Sequence, residues 1–406
     1  MTAPDPARGK EVFALDRQFV FHSWSAQAQI SPMPIQTGQG SYFWDFDGKK
    51  YLDFSCQLVF TNIGFQHPKV VDAIKKQADL LTTIAPQAAN EARGEAAKRI
   101  VELAGKDHVK VFFTNGGADG NENAIRMARL FTGKHKVLSF YRSYHGNTTS
   151  AIAATGDPRR WPNEFAHGHV HFFGPYAYRS AFWAKDEKEE CARALEHLEN
   201  TIIFEGPQTI AAILIESIVG TAGVLMPPPG YLEGVRALCD KYGIVWIADE
   251  VMSGFGRTGK WFGYQHSSVE PDLIVFAKGV NSGYVPLGGV IISKAIAESF
   301  NDRTFPGGLT YSGHPLACAA ALASLDVFAE EQLFKRSAEL APYFEEAVHS
   351  LRELPHEVPG DERAVRRPAD LAGDVERGPP ADAAVGVASR GGPLADDHEV
   401  GAHFRI

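Results

Sequence analysis

The chain has 406 residues, 44% of them hydrophobic, a formal net charge of -9 and a pI near 5.9. That length and apolar content suit two or three domains around at least one large core and exclude a fibrous or wholly disordered chain. The acidic balance disfavours a protein whose main work is neutralising nucleic-acid phosphates or coating an anionic membrane, while leaving room for a local pocket for a small anion.

The opening text, MTAPDPARGKEVF, carries Asp and Pro where a signal peptide needs an apolar core. No apolar run approaches the roughly 20 residues that span a bilayer. The expectation is a soluble, cytoplasmic protein. Ser41 to Phe54 (SYFWDFDGKKYLDF) has the text of a β-hairpin turning at Asp47-Gly48. Beyond it, strand-like runs at Val109–Thr114, Lys136–Phe140, Ile210–Ile215, Ile244–Ala248, Leu273–Phe276 and Leu287–Ile292 alternate with longer stretches of helical character. The helical stretches lie at Gly117–Phe131, Asp186–Ile203, Gly230–Tyr242 and His314–Phe328. This is the pattern of an α/β fold, a mainly parallel sheet covered by helices. Its strand carboxyl ends share one edge, where ligands of open α/β sheets gather. His169 and His171 flank Val170 on a short strand, a pattern more common on surfaces than at metal sites, and no HExxH is present. Cys56, Cys191, Cys239 and Cys318 are scattered without a CxxC pair, which reads as reduced, packed thiols.

Several residues at the ends of these strands carry chemistry. Val245 to Ala248 runs into Asp249 and Glu250. A carboxylate there can hold the protonated ring nitrogen of a pyridine cofactor, or serve as a helix cap or salt-bridge partner. Leu273 to Ala277 runs into Lys278. An amine desolvated at a strand end has a lowered pKa and becomes nucleophilic, although a lysine just past a strand can equally point to solvent. Thr114 to Asp119 is a glycine-rich strand-to-helix turn whose N–H groups suit an anion; it matches neither a P-loop nor GxGxxG. Tyr144 offers an aromatic face in a segment where an ordinary core tyrosine is also expected. The Thr310 hydroxyl sits in a loop that turn chemistry explains as well as phosphate contact does.

Taken together and in order, TNGGADGNENAIRMAR, SYHG, IADEVMSGFGRTGKWF, DLIVFAKG and TYSGHPLACAAALA resemble the class III pyridoxal-phosphate aminotransferases of fold type I. The resemblance extends over roughly residues 15 to 330. It implies a fold type I transferase with a seven-stranded, mainly parallel sheet and a smaller α+β domain. It implies pyridoxal 5'-phosphate as cofactor, with Gly117 and Ala118 at the phosphate, Tyr144 and Val251 on the two ring faces, and Asp249 at the ring nitrogen. Lys278 would carry the Schiff base, and Thr310 would reach the phosphate of a neighbouring subunit. Glu216 matches a glutamate near the substrate, although Ser217 follows it where proline is usual. The text is most similar to the branch that acts on ω-amino donors with pyruvate, including taurine:pyruvate aminotransferases. On that likeness Trp24 and the Cys56 to Phe60 stretch, with Gln57, line the substrate pocket.

The implied activity is a ping-pong transfer of an amino group from an amine or ω-amino acid to a keto acid, by a homodimer or dimer of dimers. An aminomutase or decarboxylase on the same scaffold uses the same Lys278 and Asp249, and a cofactor-binding protein with impaired catalysis is a further alternative. The expected organisation is an N-terminal segment, 1–64, contributing to a small domain; a large cofactor-binding domain, 65–305; an interface loop and the start of the C-terminal small domain, 306–355; and an atypical tail, 356–406. The tail is rich in Ala, Gly, Pro, Asp and Arg. Lys335 is the last lysine and Phe404 the only aromatic after Phe344. Such text reads as disordered, or as the product of a shifted reading frame.

Overall fold

The computed structural model describes residues 3–163 and 166–351. Within these, the chain divides into two compact units, one of residues 3–38, 42–52 and 342–351 and one of residues 39–41 and 53–341. The tail expected to be atypical, 356–406, lies outside the described residues.

In the first unit a helix, Pro6–Phe19, begins with Asp5 accepting from the Arg8 amide at 3.0 Å and with proline at its first position. Strands β1 (Ile35–Gln39), β2 (Tyr42–Asp45) and β3 (Lys50–Leu52) follow in that order in one sheet. β2 and β3 pair antiparallel with Phe43 opposite Tyr51. Their turn is pinned by Asp45, whose Oδ1 accepts from the amides of Asp47 and Lys49 at 3.0 and 2.9 Å, and by Gly48 at φ 84°. The hairpin text from Ser41 thus folds as expected, with a local hydrogen-bonded turn as its cause.

The second unit holds a seven-stranded sheet of β4 (His108–Thr114), β5 (Lys136–Phe140), β6 (His169–Phe172), β7 (Ile210–Glu216), β8 (Val245–Asp249), β9 (Leu273–Phe276) and β10 (Gly288–Ser293). The order across the sheet is β4-β10-β9-β8-β7-β5-β6. Neighbours from β9 through β6 run parallel, and β10 runs antiparallel to both β9 and β4. Strands β7, β8 and β9 are buried along their whole length, which is why they read as continuous apolar runs. The side chains of β7 and β8 alternate between two cores. Ala212, Leu214, Val245 and Ile247 meet Ala124, Ile125 and Ala128 of the helix Gly117–Thr132. Ile213, Ile215, Trp246 and Ala248 meet Leu198 and Ile202 of the helix Glu187–Glu205 and Val235 and Cys239 of the helix Tyr231–Tyr242.

The reversed direction of β10 departs from the parallel reading of Leu287–Ile292. The connection from Phe276 to Gly288 holds only the short turn Lys278–Val280, too little chain for a parallel crossover. Three of the four cysteines are buried and Cys56 is half-buried, all of them free. Among the described residues no helix is long and apolar enough to cross a membrane.

Candidate active site

The register of β7 and β8 sets Glu216 directly opposite Asp249 at the carboxyl edge of the sheet, and the register of β8 and β9 sets Asp249 opposite Val275, three residues before Lys278. Residues far apart in the chain thereby share one edge. Asp249 is 3% exposed. Its Oδ2 accepts from His145 Nδ1 at 2.7 Å and from Asn121 Nδ2 at 2.8 Å, and its Oδ1 accepts from the Val251 amide at 3.0 Å. Asn121 Nδ2 also donates to the His145 carbonyl at 2.8 Å. Asn121 Oδ1 and His145 Nε2 are buried without a hydrogen-bond partner among the described residues.

The adjacent carboxylate has a different task. Glu250 is fully buried and accepts from the Ser217 and Ser253 hydroxyls at 2.5 and 2.6 Å and from the amides of Gly263 and Tyr264 at 2.7 and 2.9 Å. All its lone-pair sites are committed to holding the 250–264 turn together. Ser217, standing where the resembled family has proline, supplies one of these donors.

Lys278 lies two residues past β9 with φ 47°, a left-handed conformation that L side chains other than Asn and Asp rarely take. Burial pulls its ammonium pKa down, opposed by Asp249 and Glu216 and reinforced by the guanidinium groups of Arg257 and Arg159. Glu216 is also buried. Its oxygens accept from the Tyr144 amide at 3.0 Å and the Gly220 amide at 2.9 Å. Burial pushes its carboxyl up to about 7, with Asp249 adding to the rise while His145 and the two amides oppose it.

The glycine-rich turn is packed against the same group. The helix Gly117–Thr132 starts at Gly116 without a side-chain cap, so no N-cap side chain takes up its first N–H groups. A Cβ on Gly117 would come within 2.7 Å of Val251 Cγ2, one on Gly146 within 2.5 Å of the Ala118 Cβ, and one on Gly288 within 2.5 Å of the Gly116 carbonyl. Glycine at these positions is what allows Val251, Ala118 and the turn to close up. Tyr144 is half-buried, and the Arg159 guanidinium lies 3.9 Å above its ring centroid. Arg159 Nε in turn donates to both Asp157 oxygens, at 3.0 and 2.8 Å.

Of the residues expected at the site, Gly117, Ala118, Tyr144, Glu216, Asp249, Val251 and Lys278 are therefore linked by contact, register or shared field. Thr310 is exposed and makes no hydrogen bond to any of them. Gln57 is exposed at φ 57°, its amide donating to Asp53 Oδ1 at 3.0 Å. Trp24 belongs to the first unit, where it is 42% exposed at φ 61°. Asn121, His145, Arg159 and Arg257 carry no assigned role in the sequence reading. The one available signal was a polar residue on an apolar helix face, Asn121 beside Ala124, Ile125 and Ala128, which is costly unless bonded.

This arrangement suits pyridoxal 5'-phosphate. It combines a half-buried amine, a buried carboxylate held by three donors with polar atoms still unpaired beside it, and an uncapped helix start.

Residues 24–365 match the family model described as aminotransferase class-III. An uncharacterised aminotransferase, YhxA, of Bacillus subtilis is 35% identical over 352 residues, covering 84% of this chain and 77% of that protein. Gamma aminobutyrate transaminase 3 of Solanum lycopersicum is 34% identical over 345 residues, covering 80% of this chain and 66% of its own length. Among solved structures, taurine:2-oxoglutarate aminotransferase from Bifidobacterium kashiwanohense, in complex with PLP and glutamate, superimposes with a TM-score of 0.83 at 49% identity. The match covers 85% of this chain and 78% of that one.

Proposed function

The chain belongs to the class III aminotransferases, enzymes of fold type I that use pyridoxal 5'-phosphate, and on that premise we propose that it moves amino groups from an ω-amino acid or amine to a keto acid such as pyruvate. The observation that carries the reading is the half-buried Lys278 amine, lying in the joint field of Asp249 and Glu216. When bound, the cofactor supplies an aldehyde that condenses with amines and a ring that withdraws electrons from the adjacent carbon.

The chain's own residues divide the remaining work. The amides of Gly117 and Ala118 hold the phosphate, Tyr144 and Val251 confine the ring, and Asp249 keeps the ring nitrogen protonated. His145 and Asn121 fix the Asp249 carboxylate so that its charge cannot turn away. Lys278 Nζ, whose pKa burial pulls down, would anchor the cofactor and would carry a proton to and from the donor carbon. Arg159, in the field of Lys278 and above Tyr144, faces the acidic end of an ω-amino donor. Glu216 and Gln57 complete the substrate side of this proposal. Thr310, in its exposed loop, serves the site of a second copy, so the working form is a homodimer or dimer of dimers in the cytoplasm.

A second acceptor is favoured by one finding: the 49% identical Bifidobacterium enzyme is named for 2-oxoglutarate. Borohydride reduction should fix the cofactor onto the Lys278 peptide, and label on another lysine would overturn the assignment. A panel of taurine, 4-aminobutyrate and simple amines, each run with pyruvate and with 2-oxoglutarate, decides donor and acceptor. Separate carbonyl and amino-acid products are expected. A single rearranged product would point to a mutase, and release of carbon dioxide to a decarboxylase.

A further inference from the structure

Between β3 and the next helix the chain passes through Cys56, Gln57 and Val59 at φ 51°, 57° and 59°. Three non-glycine residues in the left-handed region within four positions, one of them β-branched, persist only where surrounding groups fix them. The group that does so is Arg257. Its Nη2 donates to the Val59 carbonyl at 2.9 Å and to Asn62 Oδ1 at 2.6 Å, and its Nε donates to the Met252 carbonyl at 3.0 Å. The Cys56 thiol lies in the field of the same guanidinium. Asn62 closes the ring by donating from Nδ2 to the Phe255 carbonyl at 2.8 Å.

Arg257 has no carboxylate partner among the described residues, so charge pairing does not explain its burial. Its fork instead joins a rigid turn to a strained segment through carbonyl and amide acceptors, a geometry that lysine cannot reproduce.

The strained segment also lies directly on the turn that bears Lys278. A Cβ on Gly279 would come within 2.4 Å of Asn62 Nδ2, and one on Gly283 within 2.4 Å of Phe60 Cδ2. The Ile63 amide donates to Ser282 Oγ at 3.3 Å. Whatever fixes residues 56–62 therefore fixes one wall beside the reacting amine.

We propose that Arg257 is a positioning residue that clasps the Cys56–Asn62 segment onto the Lys278 turn and thereby sets how large a donor the site admits. The donor half of this statement rests on the transaminase reading above; the clasp itself does not.

The test uses Arg257→Lys and Arg257→Met in the full chain, with and without cofactor. Cysteines are labelled with N-ethylmaleimide and followed peptide by peptide. Buried Cys191, Cys239 and Cys318 report general unfolding, and Cys56 reports the segment. In both variants Cys56 should label about tenfold faster while the other three stay slow, because only the local opening equilibrium moves. In the holoenzyme the ratio of kcat/KM for a bulky amine over a small ω-amino acid should shift about tenfold in favour of the bulky one, carried in KM. Asn62→Ala, which removes the other half of the clasp, should reproduce the pattern and stands in if Arg257→Met does not fold. Unchanged Cys56 labelling, labelling restored to the parent rate by lysine, or all four cysteines accelerating together in Asn62→Ala as well as in the Arg257 variants would each overturn the clasp. A normal clasp result with no amino transfer to any acceptor would count against the transaminase reading alone, and a normal clasp result with an unchanged donor ratio would remove the link to donor size.

Discussion

Glu216 and Asp249 face each other across two parallel strands, and the structure treats them differently. Asp249 is held by two side-chain donors, while Glu216 has only two backbone amides against full burial. Its folded pKa is therefore raised, to about 7, and the folded state binds a proton that the unfolded state has lost above the ordinary carboxylate range. The sign follows: the stabilisation from this proton is complete below the unfolded pKa and disappears as pH rises through about 7. Cofactor-free protein should lose up to about 3 kcal/mol between pH 4.5 and 8 relative to Glu216→Gln. Denaturant unfolding of both proteins across that range checks this, and parallel pH profiles would remove the raised pKa from the account. Asp249→Asn should lower turnover by about 10²–10³, the scale of a lost preorganised charge. Because Asp249 also serves three donors, the variant should lose about 1–3 kcal/mol of stability in the cofactor-free protein as well. The two losses are measured separately, by steady-state kinetics and calorimetry. A replacement at Asp249 that spared folding, as its electronic role alone suggests, would mean that His145 and Asn121 find other acceptors.

At the scale of elements, the close approaches carry the consequences. β10 runs against the glycine-rich turn, with Gly288 set on the Gly116 carbonyl so closely that a methyl group would lie 2.5 Å away. Gly288→Ala must push that turn outward, at about 1–3 kcal/mol of overpacking. The expected result is weaker cofactor binding by about an order of magnitude, read by fluorescence titration, with the Lys278 peptide still the one fixed by borohydride. β6 offers a second element-level test. His169 is pulled down to about 4 by burial, with Arg129 reinforcing the shift. Its neutral form stabilises the fold fully above the ordinary histidine pKa, and that stabilisation is lost as pH falls through about 4. His169→Phe should flatten acid unfolding between about pH 6.5 and 4, and an unchanged acid limb would show that another group governs it. The two histidines of the His169–Val170–His171 pattern each have a local contact. His171 Nε2 meets the Thr155 carbonyl at 3.0 Å, and His169 Nε2 lies 3.5 Å from Arg129. The hairpin and the apolar runs of β7, β8 and β9 were legible because local pattern and burial agree there. The direction of β10 was not, since antiparallel and parallel buried strands share one composition.

For the whole molecule, cofactor and fold are linked by mass action, since a ligand that binds only the folded state raises its stability with concentration. Thermal midpoints should climb with added pyridoxal phosphate, by about 4 kcal/mol of stabilisation at a thousandfold excess over Kd. Lys278→Ala should climb less, because phosphate and ring contacts remain without the covalent bond. A midpoint independent of cofactor concentration would contradict the site as drawn. The sequence by itself determined the family, the cofactor and the alternation of the strands and helices through the middle of the chain. Each of these is written in contiguous text, where glycine, lysine and aspartate stand at strand ends whose local pattern is strong. It did not determine that Asn121 and His145 hold Asp249, that Glu250 is spent on a turn, or that Arg257 reaches Val59 and Asn62. The Asp249 and Arg257 pairings join residues 104 to 198 positions apart. They depend on strand register and on how closely glycine lets two backbones approach, and only the folded chain fixes both.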